Sequence, residues 1–396
     1  MSSNLRVLRY PTSPGGIFDL IRRGTAASRA DVAKETGLSP TTAALRVNEL
    51  IQLGYVVETG PGQSQVGRRP RGVGINASYG MVAGVDLGGK HASFGLFDLQ
   101  GQLISERHTA LDITQGPEPV LNEVAGQIRN LVETSSERLR LLGVGMGLPG
   151  PVSFPEGKMV SPARMPGWNG VEAGALLREI LGVPVFVDND ANLMALGEHL
   201  IRGEDADDFI FVKAGSSIGG GVIAGGRIHH GYRGMAGDIS HVSVPDAPAT
   251  LCSCGRTGCL DAVAGGAAIV KVLHAAGEAV TDTPDLIRLA ANGHPVATHL
   301  LREAGNRTGV VLSSIVNFFN PRRVILGGTL SEAESFISGV QSAIYTECQP
   351  FATDSLEIEA TKAKKTGGIT GSARLALDRI LDPARITAAV NASTRK

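Results

Sequence analysis

Two stretches of the chain follow one plan: an apolar strand, a glycine-rich turn and a second apolar strand. The first is MVAGVDLGGKHASFGLFDL, from Met81, and the second is FIFVKAGSSIGGGVIAGG, from Phe209. PRRVILGGTL, near the C-terminus, is expected to repeat this plan. Buried strands that open into glycine turns are typical of α/β proteins, in which ligands collect at the carboxyl ends of strands. The sequence therefore predicts an α/β fold with two similar halves.

Length and composition place the chain among globular proteins of more than one domain. It has 396 residues, of which 42% are apolar and 19% charged, so two or three domains are expected. It contains no apolar run of membrane-spanning length and no signal-peptide pattern at its start. Four cysteines are too few for a disulfide framework in a chain of this size. We therefore expect a cytoplasmic protein without a membrane partner.

Charge is distributed unevenly along the chain. The first 76 residues carry ten basic and five acidic side chains, a net charge of +5, although the whole chain has a net charge of −1. A small basic segment attached to a larger acidic one is typical of a nucleic-acid-binding module. We expect a DNA-binding domain over residues 1–76 and a ligand-binding domain over residues 77–396.

The basic segment has the pattern of a helix-turn-helix. Ser28 is placed to cap a short helix, Gly37 lies in the following turn, and Ser39 and Pro40 are placed to begin the next helix. Along that helix one apolar stripe is expected to be buried, formed by Ala43, Val47, Leu50 and Ile51. The opposite face is small or polar, as in helices that enter the major groove.

A predicted hairpin follows these helices, with the arginine-rich segment GQSQVGRRPRGVGIN between its strands. Such a hairpin next to a helix-turn-helix is typical of a wing that reaches phosphates or the minor groove. The alternative is a charged loop that is merely solvated. The candidate DNA-contacting residues are Ser39, Thr41, Thr42, Leu45, Arg46, Arg68, Arg69 and Arg71.

Three of the four cysteines and one histidine fall within residues 241–259. The stretch HVSVPDAPATLCSCGRTGC has the spacing H-x10-C-x-C-x4-C over His241, Cys252, Cys254 and Cys259. A Cys3His set with no open position predicts a structural zinc site. The alternative is three small buried side chains with inert thiols. Cys348 is isolated and is expected to be structural.

Four motifs together resemble the ROK family (repressors, open reading frames, kinases) over roughly residues 78–380. They are GYRGMAGDISH with CSCGRTGCLD, VDNDANLMALGE and VDLGG. The resemblance implies a two-lobed actin-like ATPase (ribonuclease H-like) sugar-kinase fold, with a zinc loop at residues 241–259. The basic segment is similar to the winged helix-turn-helix of the family's repressor branch.

The resemblance also implies a sugar site. Asp190 matches the family's catalytic base, and in a repressor it would accept a hydrogen bond from a sugar hydroxyl. The zinc loop would hold His241 and Asp238 against the sugar, and Asp238 and Asp261 stand where family kinases carry glutamate. Asn189 is either a sugar contact or the cap of the next helix, and Asn169 either a sugar contact or a polar loop residue. The candidate sugar-binding residues are Asn169, Asn189, Asp190, Asp238, His241 and Asp261.

The phosphate loops depart from the kinase pattern. The stretch DLGGKH lacks the usual threonine, and AGSSIGGG carries Ser216 and Ser217 where kinases have Gly-Thr-Gly. Side chains at these places hinder close approach of phosphate to the backbone. The departures weaken the case for ATP and Mg²⁺, although Asp86 is retained. The candidate phosphate-loop residues are Asp86, Gly88, Gly89, Gly215, Ser216 and Gly219.

These patterns favour a transcriptional repressor of carbohydrate genes that binds a double-stranded operator as a homodimer or homotetramer. A sugar or sugar phosphate is the expected effector. One alternative is an ATP-dependent sugar kinase with an attached DNA-binding domain. Another is a regulator that is controlled by a docked phosphotransferase-system protein.

Overall fold

The structure, a computed structural model, describes residues 11–61, 71–154 and 156–393. Its first part is a unit of three helices and an antiparallel hairpin, here called the head. The elements are α1 (Pro14–Arg22), α2 (Arg29–Thr36), α3 (Pro40–Gln52), β1 (Val56–Pro61) and β2 (Arg71–Ile75). The Ser28 and Ser39 side chains cap α2 and α3 as predicted, and Gly37 ends α2 with a φ of 71°.

The core of the head is formed by the face of α3 that the sequence pattern predicted. Ala43, Val47 and Leu50 are fully buried, and Ile51 is partly buried. Hydroxyl caps satisfy N–H groups that the first turn of a helix leaves unpaired. Arg68 and Arg69 of the predicted wing lie outside the described residues.

The first lobe of the body contains a five-stranded sheet in the order β5-β4-β3-β6-β9. The pairs β3–β4 and β4–β5 are antiparallel, whereas β6 and β9 run parallel to β3. The elements of this lobe are β3 (Met81–Leu87), β4 (His91–Asp98), β5 (Leu103–Ala110), α4 (Pro117–Thr134), β6 (Leu141–Leu148), β7 (Val152–Ser153), β8 (Lys158–Met159), α5 (Ala173–Leu181), β9 (Val185–Asn189) and α6 (Asp190–Arg202).

The second lobe repeats this arrangement, with the sheet order β12-β11-β10-β13-β14. Again two antiparallel pairs lie on one side of the first strand and two parallel strands on the other. Its elements are β10 (Phe209–Ala214), β11 (Ile218–Ala224), β12 (Arg227–Ile228), α7 (Leu260–Ala264), α8 (Gly266–Ala275), α9 (Thr283–Ala291), α10 (Pro295–Phe319), β13 (Arg323–Gly327), α11 (Glu334–Glu347), α12 (Pro350–Thr353) and β14 (Glu357–Ala360). The chain then returns to the first sheet, on which α13 (Gly367–Ile380) packs, and ends with α14 (Pro383–Ser393), which packs on α1.

The matching sheet orders confirm the prediction of two similar halves, with one correction. The glycines after β13 do not lead into a strand. A short 3-10 turn (Thr329–Glu332) and α11 follow instead. Because β13 and β14 are parallel neighbours, the chain must cross over between them, and a hairpin strand cannot do this.

The head and the body share one apolar core. Ile17 and Phe18 of α1 belong to a buried cluster that also includes Val82 of β3, Ile369 of α13 and Ile386 of α14. The predicted domain boundary at residue 76 follows directly after β2. The head is therefore packed on the body through the C-terminal helices.

No helix among the described residues is long and apolar enough to cross a membrane.

Candidate functional site

A cleft of 2120 Å³ opens at the carboxyl ends of β3, β9 and β10. Its walls bring together almost all of the sugar-binding and phosphate-loop candidates. Those that line it are Asp86, Gly88, Gly89, Asn189, Asp190, Gly215, Ser216, Gly219, Asp238, His241 and Asp261. Asn169 lies outside the cleft lining, where its Oδ1 accepts a hydrogen bond from the N–H of Ser161 at 2.9 Å.

Asp190 begins α6 and is 4% exposed. Its Oδ1 accepts a hydrogen bond from the N–H of Ala191 at 2.7 Å. Its Oδ2 is ion-paired with the Nζ of Lys213, a residue of β10. Both carboxylate oxygens therefore already have a partner inside the cleft.

Asp86 lies near the end of β3 and faces the same space. Strand pairing sets it beside Gly147 of β6, which in turn pairs with Asp188 of β9, two residues before Asp190. Burial raises the pKa of Asp86 to about 6, with the positive charge of Lys213 opposing and the negative charge of Asp190 adding to the shift. The cleft thus holds two carboxylates whose charges act on each other, with one ammonium acting on both.

Asn189 uses its side chain to shape the start of α6. Its Oδ1 accepts from the N–H groups of Ala191 and Asn192, and its Nδ2 donates to the carbonyl of Gly150 at 3.0 Å. This is the capping geometry that the sequence analysis gave as the alternative to a sugar contact. The side chain also lines the cleft, so the cap presents it there in a fixed position.

Asp261 contacts both the glycine turn after β10 and Arg164, which also lines the cleft. It is 3% exposed, its Oδ1 accepts from the N–H of Ile218 at 3.0 Å, and its Oδ2 pairs with the guanidinium of Arg164 at 2.5 Å. Arg164 also donates to the Oγ of Ser217 at 2.7 Å. The serine of the altered loop therefore takes part in an ion-pair network.

The four predicted zinc ligands are brought together at the edge of the cleft. The ligand atoms of His241, Cys252, Cys254 and Cys259 all lie within 4.8 Å of one another. Cys254 Sγ is 3.7 Å from Cys259 Sγ, and Cys252 Sγ is 3.5 Å from His241 Nδ1. Around a tetrahedral zinc ion two sulfurs lie about 3.8 Å apart, and a sulfur and a nitrogen about 3.6 Å apart. The side chains present therefore fit a structural zinc ion.

The thiols of the cluster differ in their surroundings. The backbone N–H of Arg256 is the main cause that lowers the pKa of Cys254 to about 6, whereas burial is the main cause that raises the pKa of Cys259 to about 12. Thiolate is the form that binds zinc. Next to this cluster, the Oδ1 of Asp238 accepts hydrogen bonds from the backbone N–H of Ser240 at 2.9 Å and from its hydroxyl.

The DNA-contact candidates that the structure describes lie on one side of α3 and at the start of β2. Leu45 is 58% exposed and Thr41 is exposed. The Arg46 guanidinium pairs with Glu49 at 3.0 Å, and Arg71 pairs with Glu58 at 2.8 Å.

Sequence reasoning missed Lys213 and Arg164. Lys213 is the one charged residue in the strand FIFVKA, all of whose other side chains are buried. A lysine at the end of a buried strand and before a glycine turn is a signal that could have revealed it. Arg164 lies in a loop without regular structure, and its pairing with Asp261 across 97 residues had no sequence signal.

The sequence profile of the ROK family matches residues 82–379. The chain belongs to the ROK family. A xylose repressor from Caldicellulosiruptor bescii is 29% identical over 371 residues, which cover 89% of this chain and 92% of that protein.

Two solved structures extend the comparison. A ROK family transcriptional regulator, described as a homologue of the Escherichia coli MLC protein, superposes with a TM-score of 0.79 at 24% identity and covers 95% of this chain and 98% of its own. A ROK hexokinase from Thermus thermophilus gives a TM-score of 0.62 at 31% identity, covering 76% of this chain and 99% of its own. The family fold thus includes both regulators and sugar kinases.

Proposed function

We propose that the protein is a transcriptional regulator of carbohydrate genes, in which a sugar bound in the cleft controls DNA binding by the head. The observation that carries the proposal is the extent of similarity. The xylose repressor matches 89% of the chain and the regulator structure covers 95%, whereas the hexokinase covers 76%. Similarity to regulators therefore spans more of the chain than similarity to the kinase.

The head supplies the DNA-binding surface in this proposal. Thr41, Leu45 and Arg46 enter the major groove, where the Leu45 side chain can contact a thymine methyl. The Ser39 hydroxyl caps α3. Together with Thr42 it holds the start of this helix in position to contact the DNA backbone. The arginines between β1 and β2 bind phosphates or the minor groove. A homodimer or homotetramer places two heads on operator half-sites.

The cleft supplies the sugar site. Asp190, Asp238 and Asp261 accept hydrogen bonds from sugar hydroxyls, and Asn189 can both donate and accept. Bound zinc holds the loop of residues 241–259 closed and thereby orients His241. If zinc is bound through the Nδ1 that faces Cys252, the Nε2 is free for the sugar. The zinc site is structural, because four protein ligands leave no open position.

Coupling between sugar and DNA requires that the sugar bind one arrangement of the lobes better than another. The cleft lies between the two lobes, and the head packs on α13 and α14. Closure of the lobes around a sugar therefore changes the support of the head. In a dimer this alters the spacing of the two recognition helices.

An ATP-dependent sugar kinase is the second candidate, and one observation favours it. Asp86 and Asp190 are both present at the carboxyl ends of β3 and β9, as catalysis of phosphoryl transfer to a sugar hydroxyl requires. We expect no ADP release when the protein is incubated with ATP, Mg²⁺ and a panel of pentoses and hexoses. Sustained ADP release that Asp190→Asn abolishes would establish the kinase instead.

The experiment for the proposed function has two steps. A thermal-shift screen of sugars and sugar phosphates identifies compounds that stabilise the full chain. Selection from a random duplex pool then yields a DNA ligand for the same protein. We expect at least one sugar to stabilise the protein and a two-fold symmetric DNA sequence to be enriched. A protein that enriches no sequence would contradict the proposal.

A further inference from the structure

Lys213 is an unusual residue for its position. It belongs to β10, whose other five side chains are buried, and it pairs across the sheet with Gly219 and Gly327. The Lys213 side chain is half-buried, and withdrawing an ammonium from water is costly unless it is paired with a carboxylate. The partner of Lys213 is the Oδ2 of Asp190, which comes from the other lobe's strand-to-helix junction. The ion pair thus joins the two lobes at the floor of the cleft.

Three carboxylates act on the charge of Lys213. Burial opposes the charged form most strongly, and the negative charges of Asp190 and Asp86, with a smaller contribution from Asp261, favour it. Asp86 and Asp190 also flank the same residue, since a Cβ built on Gly147 would stand 3.5 Å from Asp86 Oδ1 and 3.3 Å from Asp190 Cα. The ammonium of Lys213 therefore offsets one of the two negative charges of these neighbouring carboxylates.

The space between Asp86 and Asp190 is where a nucleotide-dependent kinase needs a divalent cation. Mg²⁺ is held by one or two carboxylates, water and substrate phosphates. An ammonium already paired with one carboxylate repels a divalent cation from the same group, and this repulsion is strong where water is scarce. The residues present therefore do not fit a Mg²⁺–ATP site.

The same ion pair bears on proton transfer. A general base must accept a proton from the attacking hydroxyl. In Asp190, Oδ2 is ion-paired with the ammonium of Lys213 and Oδ1 accepts a hydrogen bond from the N–H of Ala191. Both oxygens are therefore already engaged before a hydroxyl proton could be accepted. An ammonium has three N–H donors, so Lys213 can hold Asp190 and still donate to a sugar hydroxyl.

We propose that Lys213 is a built-in cation that takes the place of Mg²⁺ between Asp86 and Asp190, so that the cleft binds an uncharged sugar without a divalent cation and without phosphoryl transfer. The identity of the ligand as a sugar rests on the proposed function, whereas the role of Lys213 as a cation does not. The role of Lys213 can therefore be tested without any sugar.

The test is calorimetric titration of the zinc-loaded full chain with Mn²⁺, used as a probe for a Mg²⁺ site. We expect no saturable Mn²⁺ binding to the wild type. Lys213→Met is expected to gain one Mn²⁺ site, which the double variant Lys213→Met/Asp190→Asn loses again. Lys271→Met, which removes a different lysine of the cleft lining, is the matched control and is expected to behave as the wild type.

Two results would overturn the inference: saturable Mn²⁺ binding by the wild type that Asp190→Asn abolishes, or a folded Lys213 variant that gains no site. Thermal unfolding and zinc content establish that each variant is folded. If the methionine variant does not fold, Lys213→Gln replaces it, because glutamine keeps a hydrogen-bond donor for Asp190. The Mn²⁺ result does not depend on any sugar or DNA. A failure of the sugar screen alone would therefore count against the proposed function and not against the role of Lys213.

Discussion

Gly15 and Pro383, which stand near opposite ends of the chain, are in direct backbone contact. A Cβ built on Gly15 would lie 1.8 Å from the carbonyl oxygen of Pro383. The N–H of Gly15 also donates to the Oγ1 of Thr387 at 3.1 Å. The first helix of the head is therefore fixed to the last helix of the body.

Gly15→Ala is expected to weaken this contact. The added methyl group meets a backbone carbonyl that cannot rotate away, so α1 or α14 must move, at a cost of about 1–3 kcal/mol. Thermal or urea unfolding measures the loss. Gly126→Ala is the control, because Gly126 lies in α4 with open space around its Cβ position. The control is expected to gain up to about 1 kcal/mol from helix propensity. Equal effects for the two variants would show that the contact does not matter.

We expect the wild type to bind one zinc ion per chain and Cys254→Ser to bind only a small fraction of that amount. A serine hydroxyl is a poor replacement for a thiolate, and loss of the ion releases the loop of residues 241–259. Metal analysis of the purified protein measures zinc, and thermal unfolding measures stability. Cys348→Ser is the control, since Cys348 lies far from this cluster in sequence and donates to the carbonyl of Ser313. Full zinc content in Cys254→Ser would contradict the assignment.

The raised pKa of Asp86 predicts a specific pH dependence of stability. With a folded-state pKa of about 6 against an ordinary 3.8, the folded protein binds a proton as the pH falls from about 6 to 4, and the unfolded chain does not. Ionisation of Asp86 therefore opposes the folded state, in full above about pH 6, and this cost disappears as the pH falls towards 4. Asp86→Asn is expected to be more stable than the wild type by about 1–3 kcal/mol near pH 8, with the difference shrinking towards pH 4.

The control for this measurement is Asp112→Asn. The hydrogen bond from Lys90 is the main cause that lowers the pKa of Asp112 to about 2. Asp112 therefore stabilises the folded state at pH values above the ordinary pKa of an aspartate, and this contribution is lost as the pH falls towards 2. The two variants should therefore change stability in opposite directions at neutral pH. A difference between Asp86→Asn and the wild type that is the same at every pH would contradict the assignment.

Leu45→Ala is expected to weaken binding to the selected operator. Leu45 is 58% exposed on the side of α3 that we propose to face the major groove, and losing recognition of one base pair costs about 1–3 kcal/mol. Fluorescence anisotropy with a labelled duplex measures the affinity. Leu176→Ala removes a leucine that is 40% exposed on α5 of the body and should leave the affinity unchanged. Unchanged affinity in both variants would remove α3 from the DNA-binding surface.

The sequence allowed prediction of the features that depend on local chemistry. The serine caps, the apolar face of α3, the strand-to-helix junction at Asn189 and Asp190, and the Cys3His cluster all follow from short patterns. The repeated strand and glycine pattern indicated two similar halves, and the two sheets have the same strand order. The exception was the third stretch, where the glycines after β13 lead to a helix because parallel strands need a crossover.

The remaining features depend on contacts between distant segments. The Lys213 ion pair joins two lobes, the Arg164 network joins a loop to α7, and Gly15 meets a helix more than 360 residues away. No periodicity within one segment indicates such partners. For Asn169 the sequence left a sugar contact and a polar loop residue open, and in the structure its Oδ1 accepts the N–H of Ser161 outside the cleft lining.

Sugar control of DNA binding is tested by the affinity of the full chain for its selected operator, measured by anisotropy with and without a sugar identified by thermal shift. We predict that the sugar changes the affinity by about tenfold or more. The change should require neither ATP nor Mg²⁺, and Asp190→Asn should abolish it while preserving DNA binding without sugar. An operator affinity that no stabilising sugar alters would contradict sugar control of DNA binding.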